Sequence, residues 1–212
     1  TSRRGLHHPR RILLHVPPPE GFFRRIHTTV QWTALEPLVA EALDTATKTG
    51  WQQGETIECI KPELQVAFTV GRSVWNGIPL PLIELRGLTD GPLRVRGVIT
   101  LDTPAVYRFD NLWLDNRMTI SHGTVQLTGC AVRHLLVSTA GRELPVLDAR
   151  NCLFKKIEAP RGLVRLEYAT VLDTLLAECL QASDSILVPR LRKDRVDTDV
   201  PEAGCIRFSR LF

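Results

Sequence analysis

Three small sets of residues have the types and spacing for chemistry. Asp110 and Asp115, in Phe-Asp-Asn-Leu-Trp-Leu-Asp-Asn, are two carboxylates close in the chain, the pairing that acid/base hydrolysis of a glycosidic bond requires when both groups flank that bond with room for water. His122 sits between Ser121 and Gly123, an imidazole of the kind that serves in acid/base catalysis. Cys130 and Cys152 have matching neighbours in Val-Gln-Leu-Thr-Gly-Cys-Ala-Val and Leu-Asp-Ala-Arg-Asn-Cys-Leu-Phe, so they are metal ligands, a redox pair, or two copies of one structural position.

The cysteine count narrows the last choice. Cys59, Cys130, Cys152, Cys179 and Cys205 form an odd set with no Cys-x-x-Cys. That pattern argues against a zinc ribbon and a disulfide framework, and it implies reduced, mostly buried thiols, no metal site, no cofactor and assembly in a reducing cytoplasm. A disulfide between Cys130 and Cys152 is allowed by distance alone, but stacked parallel side chains seldom present the dihedral it needs.

The chain of 212 residues is long enough for a substantial core, and 43% apolar with 24% charged residues describes a globular protein. The net charge of +4 is concentrated near the ends, in Thr-Ser-Arg-Arg-Gly-Leu-His-His-Pro-Arg-Arg, Phe-Phe-Arg-Arg and Arg-Leu-Arg-Lys-Asp-Arg. Such clusters without interleaved aromatic residues read as solvated segments, not as a nucleic-acid site. No apolar run approaches the length of a membrane span. The first residue is Thr, which suggests a processed product.

The elements that must position these groups emerge from a repeat. Eight-residue copies reading apolar, polar, apolar, polar, turn, small or apolar, any, apolar begin at Leu93, Tyr107, Val125, Leu147, Val164 and Leu180. Of the twenty-four positions that point inward, twenty-two are apolar, the exceptions being Thr100 and Ser185; overall composition predicts about ten. The fifth position reads Gly97, Asn111, Gly129, Asn151, Tyr168 and Asp184, and all but Tyr168 tolerate the left-handed backbone of a sharp bend. Units this short cannot form hairpins and reverse, so they coil, each stacking on the last at about 4.8 Å. The expected fold is all-β, a right-handed parallel β-helix. Cys130 and Cys152 then share an interior column with Val98, Leu112, Ala169 and Ser185 and serve as small fillers.

Upstream, Thr33 and Glu36 form a capping-box signature. Leu35, Leu38, Val39, Ala42, Leu43 and Ala46 share one helical face, Pro37 is placed in the first turn, and Gly50 supplies the stop. This helix is expected to cover the open first coil. Segments 55–60 and 64–70 read as the earliest coils, and 77–85 as another strand. Arg-Arg-Ile-Leu-Leu-His-Val reads as a strand ended by Pro17, Pro18 and Pro19, a stiff boundary. The expected organisation is a strand and proline-rich arm over 1–30, a capping helix and connector over 31–55, a parallel β-helix over 56–190, and a basic tail with a terminal strand over 191–212.

Pectin-lyase-like enzymes share this architecture, and Ser-His-Gly resembles the Gly-His-Gly element of the polygalacturonases. The rest of that pattern is missing: there is no Asn-Thr-Asp run, no Asp-Asp pair and no Arg-Ile-Lys. His122 therefore reads as a loop residue. Asp110 falls in an outward column with Arg96, Thr128, Arg150, Glu167 and Ser183, and Arg94, Arg108, Asp148 and Arg165 form a second; pairing of opposite charges between neighbouring strands accounts for both without catalysis. No catalytic residue is assigned, with His122, Asp110 and Asp115 the only candidates. A further outward column, Ile99, Trp113, Ala131, Leu153, Thr170 and Ile186, is mostly apolar. Such a stripe must be covered, either by residues 1–30 or Gly-Cys-Ile-Arg-Phe-Ser-Arg-Leu-Phe of the same chain, or by other protein subunits. Ile99, Trp113, Leu153 and Ile186 are the candidate interface.

The phrases Pro-Arg-Arg-Ile-Leu-Leu-His-Val-Pro-Pro-Pro-Glu-Gly-Phe-Phe, Ala-Arg-Asn-Cys-Leu-Phe-Lys-Lys-Ile, Leu-Val-Arg-Leu-Glu-Tyr-Ala-Thr-Val-Leu, Leu-Gln-Ala-Ser-Asp-Ser-Ile-Leu-Val and Glu-Ala-Gly-Cys-Ile-Arg-Phe-Ser-Arg-Leu resemble bacterial β-helix proteins associated with phage-tail-like contractile injection systems. The resemblance implies a non-enzymatic structural or binding part of a particle assembled in the cytoplasm and secreted or displayed at a surface. Its partners would be other subunits or copies of itself. The alternative expectation is a polysaccharide lyase or glycoside hydrolase, or an inactive glycan-binding relative.

Overall fold

A computed structural model of the chain describes residues 29–48, 54–188, 204–207 and 210–211. The expected strand at Arg10–Val16, the prolines at 17–19 and the basic run at 190–195 lie outside the described residues.

The chain enters through β1 (Thr29–Gln31) and passes directly into α1 (Trp32–Lys48). An antiparallel unit follows: β2 (Thr56–Lys61), a single 3-10 turn, β3 (Val66–Trp75) and β4 (Ile78–Gly87). The second half of β4 begins a parallel β-solenoid of about five turns. Its strands are β5 (Leu93–Arg96), β6 (Ile99–Leu101), β7 (Ala105–Asp110), β8 (Leu112–Ile120), β9 (Gly123–Thr128), β10 (Ala131–Val137), β11 (Gly141–Arg150), β12 (Leu153–Glu167), β13 (Thr170–Ser183), β14 (Ile186–Leu187), β15 (Gly204–Arg207) and β16 (Arg210–Leu211).

Each coil contributes to three ladders. Ladder A stacks Ile83, Tyr107, Val125, Leu147, Val164 and Leu180. Ladder B aligns Trp113, Ala131, Leu153, Thr170 and Ile186, and its interior column is Leu112, Cys130, Cys152, Ala169 and Ser185. Ladder C stacks Ile99, Met118, Leu135, Ile157 and Leu175. The inward side chains of all three ladders join one buried core.

The A-to-B bends fall where the fifth repeat position places them. Asn111, Gly129, Asn151, Tyr168 and Asp184 all have positive φ. Tyr168, the least suited by type, adopts it too, at φ 51°, and holds its ring in solvent. Asn111 also reaches back a coil, its Nδ2 donating to the carbonyls of Gly87 and Thr89 at 3.2 and 2.9 Å.

Five of the six repeat copies are in register; the copy at Leu93 is not. Leu93 pairs with Leu112, and Ile99 with Met118, so this segment supplies ladders B and C of the first coil. Its true ladder A partner is Ile83–Arg86, followed by a five-residue loop before Leu93. Val98, expected inside, is therefore 64% exposed, and Ile99, expected in the outward stripe, is 2% exposed. Thr100 lies on the surface, while Ser185, the other polar exception, is truly interior. Its hydroxyl accepts from Ala169 N at 3.2 Å and donates to Ser183 O at 2.8 Å. Gly97 is a bend with positive φ as expected, but between ladders B and C of the first coil, and there a Cβ would stand 3.1 Å from the Trp32 Cβ.

The N-terminal region differs from expectation in pairing. β2 and β3 form antiparallel neighbours, not early coils, because the six strand residues Thr56–Lys61 return through a tight turn at Pro62–Gln65. The helix buries Leu35, Val39, Ala42 and Ala46 as its apolar face requires, and Leu38 and Leu43 pack partly against the same core. It starts at Trp32, so Thr33 is its second residue, not its cap. Pro37 then lies in the second turn, where it cannot donate to the Thr33 carbonyl.

At the other end, Gly204–Arg207 pairs with Leu180–Ser183, and Arg210–Leu211 with Ile186–Leu187. This terminal segment adds another rung in line with ladders A and B; it does not lie over the stripe.

Candidate functional site

The two aspartates are not brought together. Alternation sends Asp110 outward on ladder A, between Arg86 and Thr128, while Asp115 follows the Asn111 bend onto ladder B. There the Arg94 guanidinium binds Asp115 through Nε at 3.0 Å and through Nη2, and lies 4.5 Å over the Trp113 ring. Arg96 Nε is 4.0 Å from the same carboxylate. Asp115 thus closes a salt bridge and flanks no bond.

Arg94 and Arg96 accordingly leave the ladder A columns where the repeat placed them, and Glu84 and Arg86 take those positions. Two of the expected opposite-charge pairs form among the remaining ladder A residues, while Arg86 pairs with Glu58 on β2 at 2.7 Å and not with Asp110. Arg150 meets Glu167 at 3.1 Å, Arg165 meets Asp148 at 3.6 Å, and Arg108 Nε donates to Gln126 at 2.6 Å. A shallow depression of about 300 Å³, lined by Gln126, Leu127, Thr128, Asp148 and Arg150, lies among them.

His122 is exposed between β8 and β9. The neighbouring glycine has a structural reason: Gly123 sits at φ 94°, and a Cβ there would collide with the Ala105 carbonyl of the preceding coil. Ser121 Oγ donates to Asp102 Oδ1 at 2.6 Å. The tripeptide is a coil corner.

Cys130 and Cys152 are free thiols on consecutive coils. Cys130 Sγ donates toward the Phe109 and Thr128 carbonyls at 3.3 Å, and Cys152 Sγ toward Arg150 O at 3.0 Å. Its hydrogen bond with Cys152, together with burial, pushes the Cys130 thiol well above its ordinary pKa, so it stays protonated. Cys179 is buried as well, and Cys59 on β2 is the exposed exception among the described thiols. Among the described residues no group of three or more His, Cys, Asp or Glu side chains can hold a metal ion, and no helix is long and apolar enough to cross a membrane.

A charged cluster on ladder C has no counterpart in the repeat pattern. His134 Nε2 lies 2.9 Å from Glu158 Oε2, and Lys156 Nζ donates to Glu158 Oε1 at 2.7 Å. Burial raises the Glu158 pKa, but the hydrogen bonds from Lys156 and His134 outweigh it and lower the result. The eight-residue repeat ends before ladder C begins, so only the strand register reveals this cluster. Both oxygens of Glu158 are engaged, which describes an ion-pair network.

The largest unexplained feature is apolar. On ladder B, Leu153 is 45% exposed and Ile186 43%, as the stripe predicts; Leu172 at 48%, Val188 at 39% and Tyr168 at 58% extend it. Trp113 is only partly exposed beneath Arg94. The stripe is therefore charged and stacked on the second coil and openly apolar on the last three. Beside it, at the corner with ladder C, Arg117, Arg133 and Lys155 project from three successive strands. Among the described residues the side chains of these three make no hydrogen bond or ion pair. No family model, curated protein or solved structure matches this chain.

Proposed function

We propose that this protein is a non-enzymatic β-helical binding and structural module that docks through ladder B onto another protein surface, as a component of a phage-tail-like contractile injection particle. The observation that carries the docking reading is the patch of Leu153, Tyr168, Leu172, Ile186 and Val188, contiguous across the last coils of ladder B and open to solvent. A rigid solenoid presents such side chains without the entropic cost of ordering a loop, and large apolar patches on a folded surface mark interaction sites. The shared phrases with β-helix proteins of injection-system clusters support the particle assignment and a cytoplasmic site of assembly. The test is occupancy. Leu153→Glu with Ile186→Glu, introduced into the native gene, is expected to remove the protein from particles imaged by electron microscopy while its thermal melt stays near wild type. Unchanged occupancy overturns the reading.

The ladder A depression favours a second reading, a glycan-active or glycan-binding β-helix. Asp148 and Arg150 stand there beside Gln126 and Thr128, a set able to hydrogen-bond sugar hydroxyls. Depolymerisation or retention of acidic and neutral polysaccharides, lost in Asp148→Asn with Arg150→Ala, supports it; the absence of both removes it.

A further inference from the structure

We infer that Tyr168, flanked by Asn151 and Asp184, is a saccharide platform that extends the ladder A depression, and that its ligand is a neutral polysaccharide. The inference rests on the glycan-binding reading; it names the class of sugar and the residue on which the sugar stacks.

The fold does not account for Tyr168. It holds φ 51° at a bend where the other coils use Asn111, Gly129, Asn151 and Asp184, and its ring is 58% exposed. A bulky side chain in left-handed backbone carries a conformational cost, and an outlier that packing does not offset points to function. Bend residues stack one rung apart, about 4.8 Å, so Asn151 stands on one side of Tyr168 and Asp184 on the other. Both are exposed. A pyranose presents a face of C–H groups to an aromatic ring and carries hydroxyls around its rim, where an amide and a carboxylate can bind them.

The depression adjoins this platform. Arg150, which lines it, directly precedes Asn151, and its strand partner Glu167 directly precedes Tyr168. A chain lying in the depression therefore continues onto the ring at the following coil. The charges there are already balanced, Arg150 by Glu167 and Asp148 by Arg165. An acidic or cationic polymer would have to compete with those pairs, whereas neutral hydroxyls meet the Thr128 hydroxyl and the Gln126 amide without disturbing them.

Native affinity electrophoresis of the full chain tests this, in gels containing dextran, a soluble β-glucan or a galactomannan as neutral polymers and polygalacturonate as the acidic one. The wild type is expected to be retarded by a neutral polymer and not by polygalacturonate. Tyr168→Asn is expected to bind at least about tenfold more weakly, while its thermal melt lies at or above that of wild type, so that the loss is not unfolding. Tyr168→Phe keeps the ring and is expected to bind like wild type. Undiminished retardation of Tyr168→Asn, with loss in Asp148→Asn with Arg150→Ala, overturns the platform and leaves the glycan-binding reading standing. Retardation by polygalacturonate as strong as by the neutral polymers overturns the neutral class. A wild type that none of these polymers retards overturns the inference and the glycan-binding reading together.

Discussion

Arg94 and Asp115 lie on adjacent strands of ladder B, and their salt bridge holds the Arg94 guanidinium 4.5 Å from the centre of the Trp113 ring. One cation thus satisfies a carboxylate and covers an indole where the stripe would otherwise begin. Arg94→Ala is expected to lower stability by about 1–2 kcal/mol, from a partly buried ion pair together with a cation–π contact. A thermodynamic cycle with Asp115→Ala by urea unfolding checks it: additive losses would show that the two side chains do not interact.

The bend column yields opposite expectations for two residues of one backbone shape. Asn111→Ala removes two hydrogen bonds to the preceding coil and a side chain that tolerates positive φ, and is expected to cost about 2–3 kcal/mol. Tyr168→Asn places a better-suited residue at φ 51° and is expected to stabilise by about 0.5–1 kcal/mol. Thermal denaturation of both variants decides it.

Gly123 tests the reading of Ser-His-Gly as a corner. Gly123→Ala meets both a left-handed backbone and the Ala105 carbonyl, and is expected to cost more than about 3 kcal/mol or to prevent folding. His122→Ala, on an exposed loop, is expected to change stability by less than about 0.5 kcal/mol. Urea unfolding measures both.

Alkaline pH probes the interior. Burial, aided by the Asp102 charge, holds the Tyr107 phenol well above its ordinary pKa, while its hydroxyl donates to Thr103 O at 2.7 Å. A group whose folded pKa exceeds the unfolded value favours folding below the unfolded value, and that advantage is lost as pH rises beyond it. Stability is therefore expected to fall above about pH 10. Tyr107→Phe is expected to cost about 1 kcal/mol at neutral pH and to flatten the alkaline decline; an unchanged slope would assign the decline to other groups.

Ile99 and Leu153 separate register from composition. Ile99→Glu buries a charge in the first coil and is expected to abolish folding, whereas Leu153→Glu on the surface is expected to stay within about 0.5 kcal/mol of wild type. Comparable losses in the two would contradict the pairing of Ile99 with Met118 and of Leu153 with Ala131.

Much of the architecture was present in local pattern. Alternation at Tyr107–Phe109, Val125–Leu127 and Leu147–Ala149 specifies one buried face, and a residue suited to left-handed backbone four positions on specifies the bend, because side-chain period and bend sterics are properties of a few neighbouring residues. The interior role of Cys130 and Cys152 followed from that alone. Alternation carries no label for the ladder it belongs to, however. Leu-Arg-Val-Arg-Gly-Val-Ile-Thr satisfies the same rule as Tyr-Arg-Phe-Asp-Asn-Leu-Trp-Leu, yet the loop after Gly87 shifts it by one ladder. That shift moved Ile99 inside, Val98 outside, and Arg94 from a ladder A column onto Trp113. Whether Thr56–Lys61 would coil or turn back rested on the Pro62–Gln65 turn and the partner it allowed.

Sequence alone determined that the chain from Tyr107 onward coils, which residues of those five copies fill the coil and where they bend, since each depends on contacts within one short segment. Only the tertiary structure decided which outward residues become neighbours. The grouping of Arg117, Arg133 and Lys155 and the apolar patch from Leu153 to Val188 exist because stacking brings side chains 16 to 22 positions apart in sequence onto adjacent rungs, and that registry is set by loop lengths and packing rather than by any local preference.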